Sequence, residues 1–245
     1  RDWSRQVRFG GVRFGTEFGL QPELVTFPVP EFADRAAVPS NVELLVNDAL
    51  RYQGQIDQGP FSINQIPVVT GAGEVTLVVR DALGVERRVR TPYYVSSRLL
   101  SRGLSAWSLE AGAERRDYGF RSFHYANPFA AGSYRRGLTD WLTVESRTEL
   151  SGNVQMAGAG VNVVLPAVGE FGAAAALSRG EDGSGGLYRI FFSRITPSWN
   201  VALSYQHASD DFDQLGIDFD RDRITDQFQA TAGASFGRWG DASIS

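Results

Sequence analysis

Six aspartates crowd one stretch of the chain: Asp210, Asp211, Asp213, Asp218, Asp220 and Asp222. Asp218, Asp220 and Asp222 repeat at the two-residue spacing of a calcium loop, whose carboxylates converge on one hard cation. The remainder of such a loop is not there. Arg223 stands where the sharp turn needs glycine, and Gln229 where a bidentate glutamate closes the site. Arg221 and Arg223 supply counter-charge, so the stretch reads as a solvated loop, with weak divalent-ion binding as the alternative.

Other groupings carry less chemistry. His124 and His207 are the only histidines and are far apart in sequence, and the chain has no cysteine. A structural zinc site, a thiol nucleophile and a disulfide framework are therefore excluded. No nucleophile elbow accompanies the serines. Glu145 and Glu149 lie four residues apart, which on a strand puts them on one face but well separated, with no cleft around them for glycosidase work. Gly10 to Gly15 looks like a phosphate loop but lacks the Gly-Lys-Ser/Thr ending and a following helix. The charged run Glu86, Arg87, Arg88 and Arg90 reads first as a solvated strand face.

The elements that would hold these residues are strands. Residues 39–96 read as a small β domain. Val42, Leu44 and Val46 alternate with polar neighbours, Asn47-Asp48 is a turn pair, and Val75, Leu77 and Val79 share one face of the strongest strand. Strands are expected near residues 42–46, 50–56, 61–66, 74–80, 85–91 and 93–95, a compact antiparallel sandwich. Pro22, Pro28 and Pro30 make residues 24–32 an extended connection.

Outside that domain the segments have an apolar and a polar parity. Leu142, Val144 and Leu150 alternate with Thr143, Glu145, Arg147 and Glu149, and Trp199, Val201, Leu203 and Tyr205 with Asn200, Ala202, Ser204 and Gln206. Either a barrel wall with lipid outside or a soluble sandwich gives this period. Charges on the polar parity suit a wet lumen. Trp107, Tyr118, Tyr134, Trp141, Trp199 and Trp239 near segment ends suit interfacial girdles. Residues 138–140, 150–153 and 196–198 read as tight turns at one rim; 120–131, 180–186 and 209–225 read as longer loops at the other. About two strands precede the small domain and seven or eight follow it.

Length and composition agree. The chain of 245 residues, with a net charge of −4 and both signs interspersed, carries no electrostatic footprint for nucleic acid. No apolar run approaches the roughly 20 residues of a spanning helix, whereas a spanning strand needs only about 9–11. Arg1-Asp2-Trp3 opens in mid-pattern, without a charged n-region and apolar core, so the sequence reads as an internal fragment.

Ordered motifs add a family. Phe27-Pro28, Ala37-Val38-Pro39-Ser40, Gly59-Pro60-Phe61, Gly71-Ala72-Gly73-Glu74, Asp81-Ala82-Leu83-Gly84 and Tyr94-Val95-Ser96 resemble the fimbrial ushers, outer-membrane proteins of the bacterial chaperone–usher pathway. Arg115-Arg116-Asp117-Tyr118-Gly119 and residues 132–141 (GSYRRGLTDW) continue the resemblance in the same order. It implies an all-β fold: part of a large antiparallel transmembrane barrel with an inserted β-sandwich plug. Residues 1–38 would be wall strands and connection, 39–96 the plug, and 97–245 further wall. It also implies a non-enzymatic pore that assembles and secretes pilus subunits brought by a periplasmic chaperone and driven by donor-strand exchange. Chaperone–subunit complexes, pilus subunits and outer-membrane lipid would be the partners, with no cofactor, nucleic acid or small-molecule substrate. Under that resemblance Glu86, Arg87, Arg88 and Arg90 become a weak latch between plug and barrel. A general diffusion porin and a soluble sandwich adhesin are the alternatives.

Overall fold

The computed structural model describes residues 3–5, 7–63, 66–115, 120, 123–181, 183–216 and 225–245. Among them the chain is all-β, with two short 3-10 turns and no helix long and apolar enough to cross a membrane. Asp218, Asp220, Asp222, Arg221 and Arg223 of the acidic stretch, and Arg116 to Gly119 of the family motif, lie outside the described residues.

Six strands make a small unit: β2 (Phe32–Ala36), β3 (Ser40–Val46), β4 (Ala49–Ile56), β5 (Gly59–Ile63), β6 (Gly71–Asp81) and β7 (Glu86–Val95). One sheet runs β4-β3-β6-β7 and the other pairs β2 with β5. Val42, Leu44, Val75 and Leu77 from the larger sheet are sealed from water together with Phe32, and Phe61 and Ile63 of β5 pack against them, which makes the unit a two-layer sandwich. Asn47 and Asp48 both adopt left-handed backbone, φ 50° and 65°, the geometry a two-residue hairpin needs to match the twist of β3 and β4.

Two expectations change here. Phe32–Ala36 begins at the last residue of the stretch read as connection and lies ahead of residue 39, where the small domain was expected to start, yet it pairs with β5, because Pro22, Pro28 and Pro30 all lie upstream of it. Pro92 does not divide the last strand. β7 is the sheet edge, so the missing N–H leaves no ladder bond unmade, and β7 runs unbroken through it.

The other ten strands form one antiparallel sheet: β1 (Phe9–Gly15), β8 (Ser105–Arg115), β9 (Tyr125–Thr139), β10 (Leu142–Ser151), β11 (Gln155–Leu165), β12 (Gly169–Arg179), β13 (Ser184–Ile195), β14 (Trp199–Ala208), β15 (Asp226–Ser235) and β16 (Asp241–Ile244). Among the described residues one strand therefore precedes the sandwich and nine follow it. The stretch from Phe9 yields a single strand because the chain turns through a 3-10 turn at Phe18–Leu20. Tyr125 to Ala131, read as loop, is the start of β9, held by pairing with β8.

Neighbours β1 and β8 are hydrogen-bonded from Phe9↔Glu114 to Gly15↔Ser108. The sandwich is thus inserted between two adjacent wall strands and leaves the wall at one rim. That rim carries the turns between β9 and β10, β11 and β12, and β13 and β14. The tight turn after Ser151 joins β10 to β11 and stands at the opposite rim, with the 180–183 and 209–225 connections, instead of beside the other tight turns.

Candidate functional site

The two faces of the large sheet differ in the opposite sense from a soluble protein. Leu109, Leu150, Leu177, Ile190 and Phe228 lie on one parity and are all more than half exposed. The other parity places Thr143, Arg147, Glu149, Asn162 and Ser178 out of reach of solvent. Polar groups inside and apolar groups outside is the solution for a wall whose outer solvent is hydrocarbon. Trp107, Tyr134, Trp141, Trp199 and Trp239 are exposed near the rim from which the sandwich leaves. Arg194 lies over the Trp199 ring, 5.5 Å from its centroid, and donates to the carbonyl of Val168 at 2.7 Å.

Buried charges survive only when paired, since desolvation otherwise exceeds what they gain. The polar face meets that requirement. Arg147 Nε donates to Glu149 Oε1 at 2.6 Å, and Glu110 lies 4.0 Å from the same guanidinium. Arg13 on β1 reaches Glu110 at 3.4 Å, so ion pairs run across β1, β8 and β10. Arg135 lies 3.4 Å from Glu145, which also accepts the indole N–H of Trp3 at 2.7 Å. Trp3 itself packs on Met156, Ala176, Leu187 and Phe212, over Gly158, where a Cβ would stand 2.6 Å from the indole ring.

Asp210 and Asp211 are exposed, as a solvated loop requires, but the residues that follow them correct that reading. Phe212, Asp213, Gln214 and Leu215 are buried. Phe212 joins the Trp3 cluster, and Leu215 packs on Phe129 and Ala131. The Leu215 N–H donates to Glu149 Oε2 at 2.9 Å, and the Asp213 N–H to Ser178 Oγ at 2.7 Å. Two apolar residues among the aspartates are enough to fold this part inward onto the polar face. Among the described residues no cluster of three or more His, Asp or Glu could hold a metal ion.

The sandwich meets the wall through the end of β7 and the segment after it. The Tyr94 hydroxyl donates to the Ser193 carbonyl at 3.2 Å and accepts the Ile195 N–H at 3.3 Å. Ser96 Oγ donates to the buried Glu170 at 2.8 Å, and Arg98 lies 3.7 Å from that carboxylate. Leu99 packs beside Tyr94 and Val164, and the Leu100 N–H donates to Thr143 Oγ1 at 2.8 Å. On β6, Gly71 has φ 101°, and a Cβ there would lie 2.8 Å from the Ile195 carbonyl oxygen, so only glycine allows this approach. Tyr94 and Ser96 stood out in the sequence only within the family motif Tyr94-Val95-Ser96, and Thr143 only as a polar position of an alternating strand; Glu170 did not stand out.

Glu86, Arg87, Arg88 and Arg90 stand at the other end of β7. Their partners lie within the sandwich: Arg80 donates to Glu86 at 2.8 Å, Arg88 also reaches Glu86, Arg87 reaches Asp34, and Arg90 lies 3.7 Å from Glu74. The hydrogen bonds from Arg80 and then Arg88 hold the Glu86 carboxyl below its ordinary value of 4.5. The three arginine side chains are more than half exposed, at 53%, 62% and 65%.

Comparison with known proteins gives a consistent set. The family model described as outer membrane usher protein matches residues 5–244. The outer membrane usher protein FaeD of Escherichia coli is 30% identical over 211 residues, covering 84% of this chain and 25% of its own. The outer membrane usher protein FimC of Bordetella pertussis is 24% identical over 199 residues, covering 79% of this chain and 22% of its own. The chain thus spans about a quarter of the length of these curated relatives. Among solved structures, the cryo-EM structure of the E. coli P pilus tip assembly intermediate PapC-PapD-PapK-PapG contains a chain of similar fold. Its TM-score is 0.57 at 19% identity, covering 86% of this chain and 28% of that one. With a wall that is apolar outside and charged inside, this is part of a transmembrane β-barrel of the bacterial outer membrane, and the chain belongs to the outer membrane usher family.

Proposed function

We propose that these residues are the plug-bearing part of an usher pore that assembles pilus subunits and passes them to the cell surface, the subunits being delivered by a periplasmic chaperone. Residues 39–96, joined by β2, are the plug; residues 1–38 otherwise, and 97–245, are wall and connection. The observation that carries this reading is the insertion of a separately folded sandwich between two hydrogen-bonded wall strands, with its outgoing end seated on the charged face. A passive diffusion porin has no need of such an insertion. A soluble sandwich would need the parity of Leu150 and Ile190 in a core, whereas both are exposed.

No covalent chemistry is assigned to the site. Transport rests on exchange of strands between cargo subunits, a form of β-augmentation, and the pore supplies passage and gating. The charged end of β7, with Glu86, Arg87, Arg88 and Arg90, serves as a latch toward luminal charges of barrel strands outside this chain. The exposure of its arginines supports that role. Neutralising Arg87, Arg88 and Arg90 together in the full protein raises ion leakage; unchanged leakage would reject the latch.

The deciding experiment is single-channel conductance of the full-length protein in planar bilayers, intact and with residues 32–95 replaced by a short flexible linker. A small, flickering conductance that becomes large and steady on deletion supports a wide barrel gated by the sandwich. Equal conductance in both returns the protein to a porin with a decoration.

A further inference from the structure

One hydrogen-bonded row across the wall runs Arg135, Glu145, Gly160, Ala174, Arg189 and Gln206. All six point to the polar face, because paired residues share a face and strand neighbours alternate. The two central positions carry almost no side chain. Ala174 lines a hollow of about 170 Å³ that Arg135, Glu145 and Arg189 also line. Trp3 closes it at one end, and Ser97 and Arg98, on the segment leaving the sandwich, roof it.

The hollow is rich in donors. Among the described residues Arg98, Arg135 and Arg189 line it, with Glu145 the carboxylate beside them. Glu145 lies 3.4 Å from Arg135, and Glu170 outside the hollow lies 3.7 Å from Arg98. Among the described residues Arg189 meets the amide oxygen of Gln206, at 3.5 Å, and no carboxylate lies within 4.0 Å of it. The Nε–H of Arg189 is shut away from solvent without a hydrogen-bond acceptor, and that of Arg135 faces Glu145 Oε2 at 3.4 Å without forming a hydrogen bond to it. Asn162 adds an amide to the lining.

A buried cationic donor without an acceptor is an expensive arrangement. A water molecule could accept one such N–H but would leave the charge of Arg189 without a counter-ion. A small oxyanion accepts from several donors at once and neutralises that charge, which is the chemistry for which arginine forks are suited. We infer that this hollow binds a phosphate-sized oxyanion between Arg135 and Arg189, over Ala174. Because Ser97 and Arg98 form its roof, the bound anion ties the outgoing connection of the sandwich to the wall. The site stands on the wall's geometry and is independent of what cargo the pore carries.

The test uses the full-length protein in detergent, titrated with inorganic phosphate at constant ionic strength against a chloride control. Calorimetry should show saturable binding, and phosphate should raise the melting temperature. Arg189→Gln should bind phosphate at least about tenfold more weakly, given the strength of charge-assisted hydrogen bonds. Ala174→Asp places a carboxylate beside Arg189 and should abolish phosphate binding, which keeps the question decidable if the first variant does not assemble. Phosphate binding that is absent in the wild type, or unchanged in a folded variant of either kind, overturns the site.

Discussion

Glu149, with 1% of its side chain exposed, accepts the Leu215 N–H with one carboxylate oxygen and Arg147 Nε with the other. One residue thereby holds both the wall's central ion pair and the segment that folds inward after β14. Replacing it with alanine leaves Arg147, itself only 9% exposed, without its nearest counter-charge, and orphans a buried backbone donor. The cost should be about 3–5 kcal/mol. Glu149→Ala should lower the melting temperature of the folded barrel in detergent and expose residues 209–216 to protease. Glu149→Gln keeps an acceptor for Leu215 and should leave the segment less readily cleaved than alanine does.

Ile190 and Arg189 are neighbours on β13 facing opposite solvents. Ile190 lies mid-strand on the outer face, 53% exposed. Ile190→Arg should cost about 2–4 kcal/mol if that face meets hydrocarbon near the bilayer midplane. In a soluble protein the same change would be a near-neutral surface substitution. Folding yield into phosphatidylcholine vesicles, compared with Ile190→Leu as control, measures the difference. Equal yields for the two would place this face in water.

The alternation of Leu142, Val144 and Leu150 with Thr143, Glu145, Arg147 and Glu149 was enough to read β10, because the strand period is a local property. The period is the same whichever face is buried, so it could not by itself say which face met water; the charges on one parity carried that decision. The turn at Asn47-Asp48 was legible for the same local reason. What escaped depended on distant partners. β2 is a strand because β5 lies beside it, and Tyr125 belongs to β9 because β8 pairs there. Residues 212–215 are buried because Met156, Phe129 and Glu149 receive them. The signal available was Phe212 and Leu215 among aspartates, which the charge of the stretch outweighed. Trp3 and Glu170 gave no local sign of their roles.

Tyr94 is the hydrogen-bonded contact of β7 with β13, whereas its neighbour Tyr93 belongs to the sandwich core. Tyr94→Phe removes one donor and one acceptor at the seat and leaves the core untouched. Each net hydrogen bond is worth about 0.5–1.5 kcal/mol. The sandwich should stay folded while leaving its seat more often, seen as more frequent opening events in planar bilayers. Tyr93→Phe should leave the opening frequency at the wild-type level, and equal behaviour of the two variants would remove Tyr94 from the seat.

Glu86 makes the β6–β7 end sensitive to acid. Its carboxyl is held below 4.5 by hydrogen bonds from Arg80 and Arg88, so the folded sandwich binds this proton less readily than the unfolded chain. The resulting stabilisation is present above the ordinary carboxylate value and is lost as pH falls through the lowered folded value. The group is fully exposed and screened by solvent, so the effect is local. Hydrogen exchange at Glu86–Arg90 should accelerate below pH 4.5, relative to β3, after correction for intrinsic rates. Glu86→Gln should show the faster exchange already at neutral pH and lose the acid-dependent step. A step that persists in Glu86→Gln would assign it to another group.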